Sequence, residues 1–189
     1  KQKTAYEIMP SLVGSEMCIR DRPPRDRNAF NDQALEDLGM DPSEIDRIFD
    51  AWANPIPGQP DENLDDTALA QRFRQLSAAE QGEVRARLGE EGYDALLYAV
   101  GEENRLLVTE VPPGTPGALA GVMPGDELLT VDGQRIFNRF ELNWLEADLR
   151  DAGNVPVTVL RGGEVLHLSV DRGRMQVGLE RIYLPPYRP

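Results

Sequence analysis

A series of proline and glycine turns in residues 112–133 constrains the fold of this chain more than any other sequence feature. Thr115-Pro116 can begin a one-turn helix, and Pro124-Gly125-Asp126 makes a tight turn into a predicted strand over Glu127–Val131. Asp132-Gly133 follows directly and is a strong signal for a short hairpin. This half of the chain is therefore predicted to form short strands joined by turns.

Strand and helix signals continue this pattern on both sides of the turns. The string RLLVTEV at Arg105–Val111 predicts a strand, and Val155–Arg161 and Glu164–Val170 predict a hairpin around Gly162-Gly163. Asn138 can cap a helix that runs to about Arg150, because a glutamate follows it at the capping-box spacing. The order is therefore strand, short helix, strand, long helix and hairpin.

The motifs PGTPGALAG at 113–121 and PGDELLTVDG at 124–133, in this order after a strand, resemble the bacterial PDZ domain. The resemblance covers residues 104–182. It implies an α+β fold, in which an N-terminal helical region precedes a PDZ-like partly open β-barrel or sandwich with two helices. The domain is placed at 104–184, and residues 185–189 are predicted to form a loose C-terminal tail. A domain of this family binds an extended peptide, usually a free C-terminus, between a sheet edge and the long helix.

The family binds the terminal carboxylate of the peptide in a loop of the form x-Φ-G-Φ, where Φ is apolar, often after an arginine. No such string precedes Arg105, whereas Gln176-Val177-Gly178-Leu179 matches it. The resemblance therefore implies a permuted strand order, with the groove strand at Leu179–Leu184. Arg172 and Arg174 would add charge attraction for the carboxylate.

The long helix would form the other wall of this groove, through Leu142, Leu145, Glu146 and Leu149. Leu142 near the helix start favours a hydrophobic ligand residue there. Two alternatives remain open. The loop could use Met175-Gln176-Val177, with Gln176 where glycine is usual, although the loop favours a residue free of Cβ strain. Alternatively, Arg172–Pro189 could cover the sheet edge and bind nothing.

Residues 23–103 are predicted to form an acidic helical region. They contain 7 basic and 19 acidic residues, so their net charge is 7 − 19 = −12. The string SAAE at 77–80 fits a capping box whose helix ends at Gly89, before a second helix over Glu90–Val100. The proline-rich Asn54–Asn63 predicts a linker. We expect these helices to dock on the PDZ domain or on a partner.

Residues 1–22 differ from the rest of the chain, because they contain both lysines and the single cysteine, Cys18. The string SLVGSEMCIRDR at 11–22 resembles the translation of a sequencing adapter, of the kind left in a metagenomic assembly. We therefore interpret residues 1–22 as a non-native tail and exclude them from the fold argument. The native N-terminus, with any signal or anchor, is then not visible in this sequence.

Composition excludes several function classes. The net charge of −13 argues against nucleic-acid binding through phosphate neutralisation, and no apolar run is long enough for a membrane span. The single Cys18 rules out a multi-cysteine metal site, and His167 lies in a predicted strand as an ordinary, partly exposed residue. The sequence lacks a GNSGG-type nucleophile loop and an H-E-x-x-H motif, and no lysine follows Lys3 to form a Ser-Lys pair. We therefore expect no enzyme, no cofactor and no metal site.

The sequence thus predicts a non-catalytic adaptor that recognises extended peptides or protein C-termini by β-strand addition. Two alternatives stay open. The chain could be a fragment of a larger envelope protein, such as a secretion component or the regulatory part of a protease. It could also be a structural domain of PDZ-like fold with a blocked groove. Placement in the cell envelope rests on analogy with the family alone.

Overall fold

The computed structural model describes residues 30–56, 58, 65–171 and 174–188. The adapter-like residues 1–22, Arg172 and most of the predicted linker lie outside the described residues. The helices are α1 (Asp32–Asp37), α2 (Pro42–Ala53), α3 (Asp66–Arg74), α4 (Ala78–Ala99), α5 (Pro116–Leu119) and α6 (Arg139–Asp148), followed by a 3-10 turn at Leu149–Asp151. The strands are β1 (Arg105–Glu110), β2 (Glu127–Val131), β3 (Gln134–Arg135), β4 (Asn154–Arg161), β5 (Glu164–Asp171) and β6 (Gly178–Ile182).

The strands form one antiparallel sheet in the order β5-β4-β2-β1-β6, and β3 pairs with β2 outside this path. The last strand in the chain pairs with the first, with Leu179 opposite Val108. This arrangement confirms the predicted α+β class and the permuted strand order. Within the described residues, β6 is therefore an edge strand, with one side paired and the other side available.

The Pro-Gly-Asp turn shows how local sequence shapes the sheet. Gly125 has a φ of +92°, which glycine adopts without Cβ strain. Asp126 is completely buried, and its carboxylate accepts hydrogen bonds from the Met123 N–H at 2.9 Å and from Arg161 Nε at 2.6 Å. Arg161 belongs to β4, so this ion pair fastens the turn before β2 to the strand that pairs with β2.

Two hydrophobic cores follow from this layout. The first belongs to the helical region and includes Trp52 and Leu96, whereas the second lies between the sheet and α6 and includes Leu106 and Val159. Phe137, which precedes α6, is packed into the helical core rather than the sheet core. The two cores are therefore joined by a side chain from the segment that leads into α6.

Helix α4 forms most of the junction between these cores. It is interrupted at Gly89, where φ is +75°, so the helix is broken where the sequence places a helix end. Tyr93 meets Phe137 edge to face with ring centroids 5.2 Å apart. Arg85 donates to the backbone carbonyl of Arg135 at 2.7 Å. The acidic helices thus pack directly on the sheet domain.

A buried ionic group, the Asp94 cluster, lies at this junction and consists of Asp94, Asn104, Arg105 and Arg135. The Asp94 carboxylate accepts from Arg135 Nη2 at 2.8 Å, from Arg105 Nη2 at 3.1 Å and from Asn104 Nδ2 at 2.6 Å. Asp94, Asn104 and Arg105 are no more than 1% exposed. Two buried guanidinium groups from the sheet domain therefore share one carboxylate from α4.

The C-terminal segment is held against the same junction. Tyr183 stacks on Tyr98 with ring centroids 4.7 Å apart, and its hydroxyl donates to the Tyr98 carbonyl at 2.9 Å. The Tyr187 N–H donates to Asp94 at 3.0 Å, and Arg188 pairs with Glu44 at 3.3 Å. The segment predicted as a loose tail thus makes contacts with the helical region through Tyr187 and Arg188. These are long-range contacts with α2 and α4, which no local signal in 185–189 reveals.

In the ranges that the structure describes, no helix has both the length and the apolar character needed to cross a bilayer. The same ranges contain no group of three or more histidine, cysteine, aspartate or glutamate side chains placed to hold a metal ion. His167 is exposed on β5 and its Nδ1 lies 3.3 Å from Thr158 Oγ1 of β4.

Candidate functional site

A cleft of about 360 Å³ lies between helix α6 and strand β6, and we call it the α6–β6 cleft. One wall comes from the helix and the other from the loop before β6 and the start of the strand. The lining residues are Arg139, Leu142, Asn143, Glu146, Arg174, Gln176, Val177 and Leu179. The cleft is therefore bounded on one side by the free edge of the sheet.

The helix wall is set by capping and by helical spacing. The Asn138 side chain accepts from the N–H groups of Phe140 at 2.9 Å and Glu141 at 3.0 Å, which fixes where α6 begins. The four helix residues that line the cleft occupy positions i, i+3, i+4 and i+7, so they lie on one face of α6. They are Arg139, Leu142, Asn143 and Glu146.

This face differs from the predicted one. Leu142 and Glu146 line the cleft. Leu142 is also a buried member of the sheet core, like Leu145, and Leu149 packs against that core, but neither Leu145 nor Leu149 lines the cleft. The structure therefore places Leu145 and Leu149 against the sheet core and outside the lining of the cleft. The physical reason is that the sheet takes the most apolar stripe of the helix. The cleft is left with the neighbouring stripe, where Arg139 and Asn143 lie.

The loop before β6 is anchored by Met175, which is 1% exposed. Its N–H donates to Glu146 Oε1 at 3.2 Å, and its carbonyl accepts from the Gly117 N–H at 2.9 Å. A Cβ at Gly117 would lie 2.8 Å from that carbonyl and 2.7 Å from Val177 Cγ1. Only glycine therefore lets α5 approach the loop this closely.

The loop backbone bears on the two registers that the sequence leaves open. Gln176 has a φ of +55°, in the left-handed region that favours glycine. Gly178 has no such φ, but a Cβ there would lie 3.0 Å from both Glu110 Cβ and Thr109 Oγ1 of β1. Gly178 is therefore required because it lies close to β1. The residue with left-handed backbone is Gln176, which the alternative register Met175-Gln176-Val177 places at the glycine position.

The electrostatics of the cleft centre on Glu146. Its carboxylate faces the exposed Arg174, with Arg174 Nε 4.0 Å from Glu146 Oε2. Burial raises the pKa of Glu146, while the Met175 hydrogen bond and the positive charges of Arg174 and Arg139 act against that rise. Arg139 Nη1 also lies 3.5 Å from the Leu179 carbonyl oxygen. That carbonyl thus points away from β1 and into the cleft.

The structure brings together most of the predicted site residues. Leu142, Glu146, Arg174, Gln176, Val177 and Leu179 line one cleft, and Gly178 begins the strand beside it. Arg172 lies outside the described residues. Arg139 and Asn143 were not predicted, although both share the helical face of Glu146 at i−7 and i−3. Spacing from Glu146 alone could have found them.

Comparison with known proteins adds an independent result. The model of a family described as the PDZ domain matches residues 77–171, which is half of the chain. The match includes the capping box of α4 and ends at the end of β5, before the loop and strand that form one wall of the cleft.

Three curated relatives are similar to part of the chain. The magnetosome formation protease MamE of Magnetospirillum gryphiswaldense is 37% identical over 68 residues, which is 36% of this chain and 9% of that protein. MamE of Paramagnetospirillum magneticum is 30% identical over 80 residues, 42% of this chain and 11% of that protein. The serine endoprotease DegS of Haemophilus influenzae is 31% identical over 68 residues, 36% of this chain and 20% of that protein. The matched segments thus span a fifth or less of these relatives.

Proposed function

Because the chain belongs to the PDZ domain family, we propose that it is a non-catalytic module that binds the C-terminal segment of a protein or peptide by β-strand addition in the α6–β6 cleft. The observation that carries this proposal is the free edge of β6 beside α6. A strand that enters the cleft can pair with β6, and its side chains can alternate between the helix and the solvent.

The Leu179 carbonyl supports this geometry. It points into the cleft, where its contact with Arg139 is long, at 3.5 Å. A backbone N–H of a bound peptide could replace that contact with a better hydrogen bond. The loop over residues 176–179 would receive the terminal carboxylate through its backbone N–H groups, with Arg174 adding positive charge.

The test is a titration of the protein with peptides that have a free carboxylate, with the same peptides amidated as controls, followed by amide NMR shifts. We expect shifts in residues 177–182 and 139–148 that disappear on amidation. The amides of β5, at the opposite edge of the sheet, should not move. A groove that is closed would give no shifts with any peptide and would favour a purely structural role.

A matched pair of variants sharpens this test. Asn143 and Asp148 are both exposed on α6, but only Asn143 lines the cleft. Asn143→Trp should fill the cleft and weaken peptide binding by about tenfold or more, which is about 1.4 kcal/mol. Asp148→Trp should leave binding within about twofold of wild type. Equal effects of the two substitutions would contradict the placement of the site.

A second candidate function is the regulatory, peptide-reading part of a larger protease of the bacterial envelope. The relatives favour it, because they are named as proteases. The matched segment spans only 9%, 11% and 20% of their lengths. The peptide-binding chemistry would be the same in both cases. The sequence of the intact gene on both sides of residues 23–189 distinguishes them, because a protease also requires a catalytic domain.

A further inference from the structure

Glu146 occupies an unusual position for a carboxylate. Its side chain is 13% exposed and lies at the end of the cleft next to the loop, where its Oε1 accepts the N–H of Met175 at 3.2 Å. If the terminal carboxylate of a ligand binds to the N–H groups of residues 177–179, the last side chain of that ligand lies beside Glu146. The last residue therefore meets a charged group rather than a purely apolar pocket.

Binding would also draw Arg174, the cation nearest to Glu146, toward the carboxylate of the ligand. The Arg174 side chain is 69% exposed, and its Nε lies as far as 4.0 Å from Glu146 Oε2. Because this contact is long, Arg174 can turn toward an incoming carboxylate. Arg139 also offsets the charge of Glu146, but it does so only at a distance, because its described hydrogen bond is to the Leu179 carbonyl. Glu146 would then lie beneath the ligand, where it would keep the hydrogen bond from the Met175 N–H. A desolvated carboxylate in this position requires a new cationic partner.

We propose that Glu146 makes the cleft selective for ligands whose C-terminal residue is lysine or arginine, and that it disfavours an apolar C-terminal residue. This inference rests on the proposed peptide-binding function. The aliphatic stem of such a residue can pack on Leu142 and Leu179, which line the same cleft, while its charged end reaches Glu146. An apolar side chain would cover the carboxylate without pairing with it.

The test uses peptides that differ only in the last residue, which is lysine, N-acetyl-lysine or leucine, each with a free carboxylate. N-acetyl-lysine keeps the length of lysine but removes its charge. The wild-type protein should bind the lysine peptide about tenfold more tightly than the other two, as measured by calorimetry. An amidated lysine peptide should bind much more weakly, because it cannot use the loop.

Two isosteric variants isolate the role of the carboxylate. E146Q keeps an oxygen that can accept the Met175 N–H and should reduce the preference for lysine to within about twofold. D148N removes the same charge from an exposed position of α6 that does not line the cleft, and it should keep the full preference. Circular dichroism and thermal unfolding verify that both variants fold.

The possible results separate this inference from the function on which it rests. Equal or tighter wild-type binding of the leucine peptide, or a lysine preference that survives in E146Q, overturns the role of Glu146 and leaves C-terminal recognition intact. Binding that is insensitive to amidation, or no binding of any peptide, overturns both.

Discussion

Replacing Asp94 with alanine tests how the helical region is joined to the sheet domain. Removing one partner of a buried ion pair costs about 3–5 kcal/mol, because the remaining charge is left buried without compensation. Here two guanidinium groups lose the same partner, and Arg105 already contains a buried Nε that has no hydrogen-bond acceptor. These facts predict a large effect on the free energy of unfolding.

The remaining contacts set the expected size. Arg105 keeps Glu127, whose Oε2 lies 3.2 Å from Arg105 Nη1, and Arg135 keeps its positions over the rings of Phe137 at 5.4 Å and Tyr187 at 5.6 Å. We therefore expect Asp94→Ala to cost about 3 kcal/mol, at the lower end of the range. At about 2–4 °C per kcal/mol for a chain of this size, the midpoint of thermal unfolding should fall by about 6–12 °C.

The assay is urea and thermal unfolding followed by far-UV circular dichroism. Glu102→Gln is the control, because the Arg74–Glu102 pair is 3.0 Å long but both side chains are more than a third exposed. An exposed pair contributes about 0–1 kcal/mol. A loss of less than about 1 kcal/mol in Asp94→Ala would refute the reasoning, since it would mean that the buried arginines find other partners or water at no cost.

Three further predictions concern the cleft. Gly178→Ala should cost about 1–3 kcal/mol of stability in urea unfolding and weaken peptide binding, because its Cβ would press on β1, whereas Gly153→Ala, with open space around the Cβ, should cost much less. Gln176→Gly should stabilise the protein by about 0.5–1 kcal/mol in the same assay, since it relieves a φ of +55°; a loss of stability would contradict this. The lysine preference should be complete above the raised pKa of Glu146 and disappear as the pH falls through it, because the neutral carboxyl no longer attracts a cation. Arg139 and Arg174, the charged groups that face Glu146, stay protonated over this pH range. The measurement is calorimetry at several pH values. A lysine preference that is unchanged well below the pKa of Glu146 would contradict the assignment.

Local sequence signals predicted the helices of this fold because the capping hydrogen bonds behind them join residues only a few positions apart. Ser77 and Glu80 form the expected capping box, Asn138 caps α6, and Thr115 caps α5 through the N–H of Ala118. The x-Φ-G-Φ string was likewise found because its pattern lies in four consecutive residues. What it could not show is the reason for each residue, since Gly178 is selected by a contact with β1 on another strand.

Long-range pairing explains what the sequence did not predict. Asp94 meets Arg105 across 11 positions and Arg135 across 41 positions, and many other acidic and basic residues have the same local appearance. The position of Leu145 against the sheet core has a similar origin. An amphipathic helix shows which residues avoid water, but only the position of the sheet determines whether a given leucine faces the core or the cleft.

The segment after β5 connects the cleft to the helical region. At one end of β6, the loop is fixed through Met175 to α5 and α6, and at the other end Tyr183 stacks on Tyr98 of α4. An edge strand that is held at both ends loses little freedom when a peptide pairs with it, so less of the interaction energy is lost to ordering. If a peptide adds to β6 as proposed, the acidic helices would support its binding without touching it, because they hold that strand.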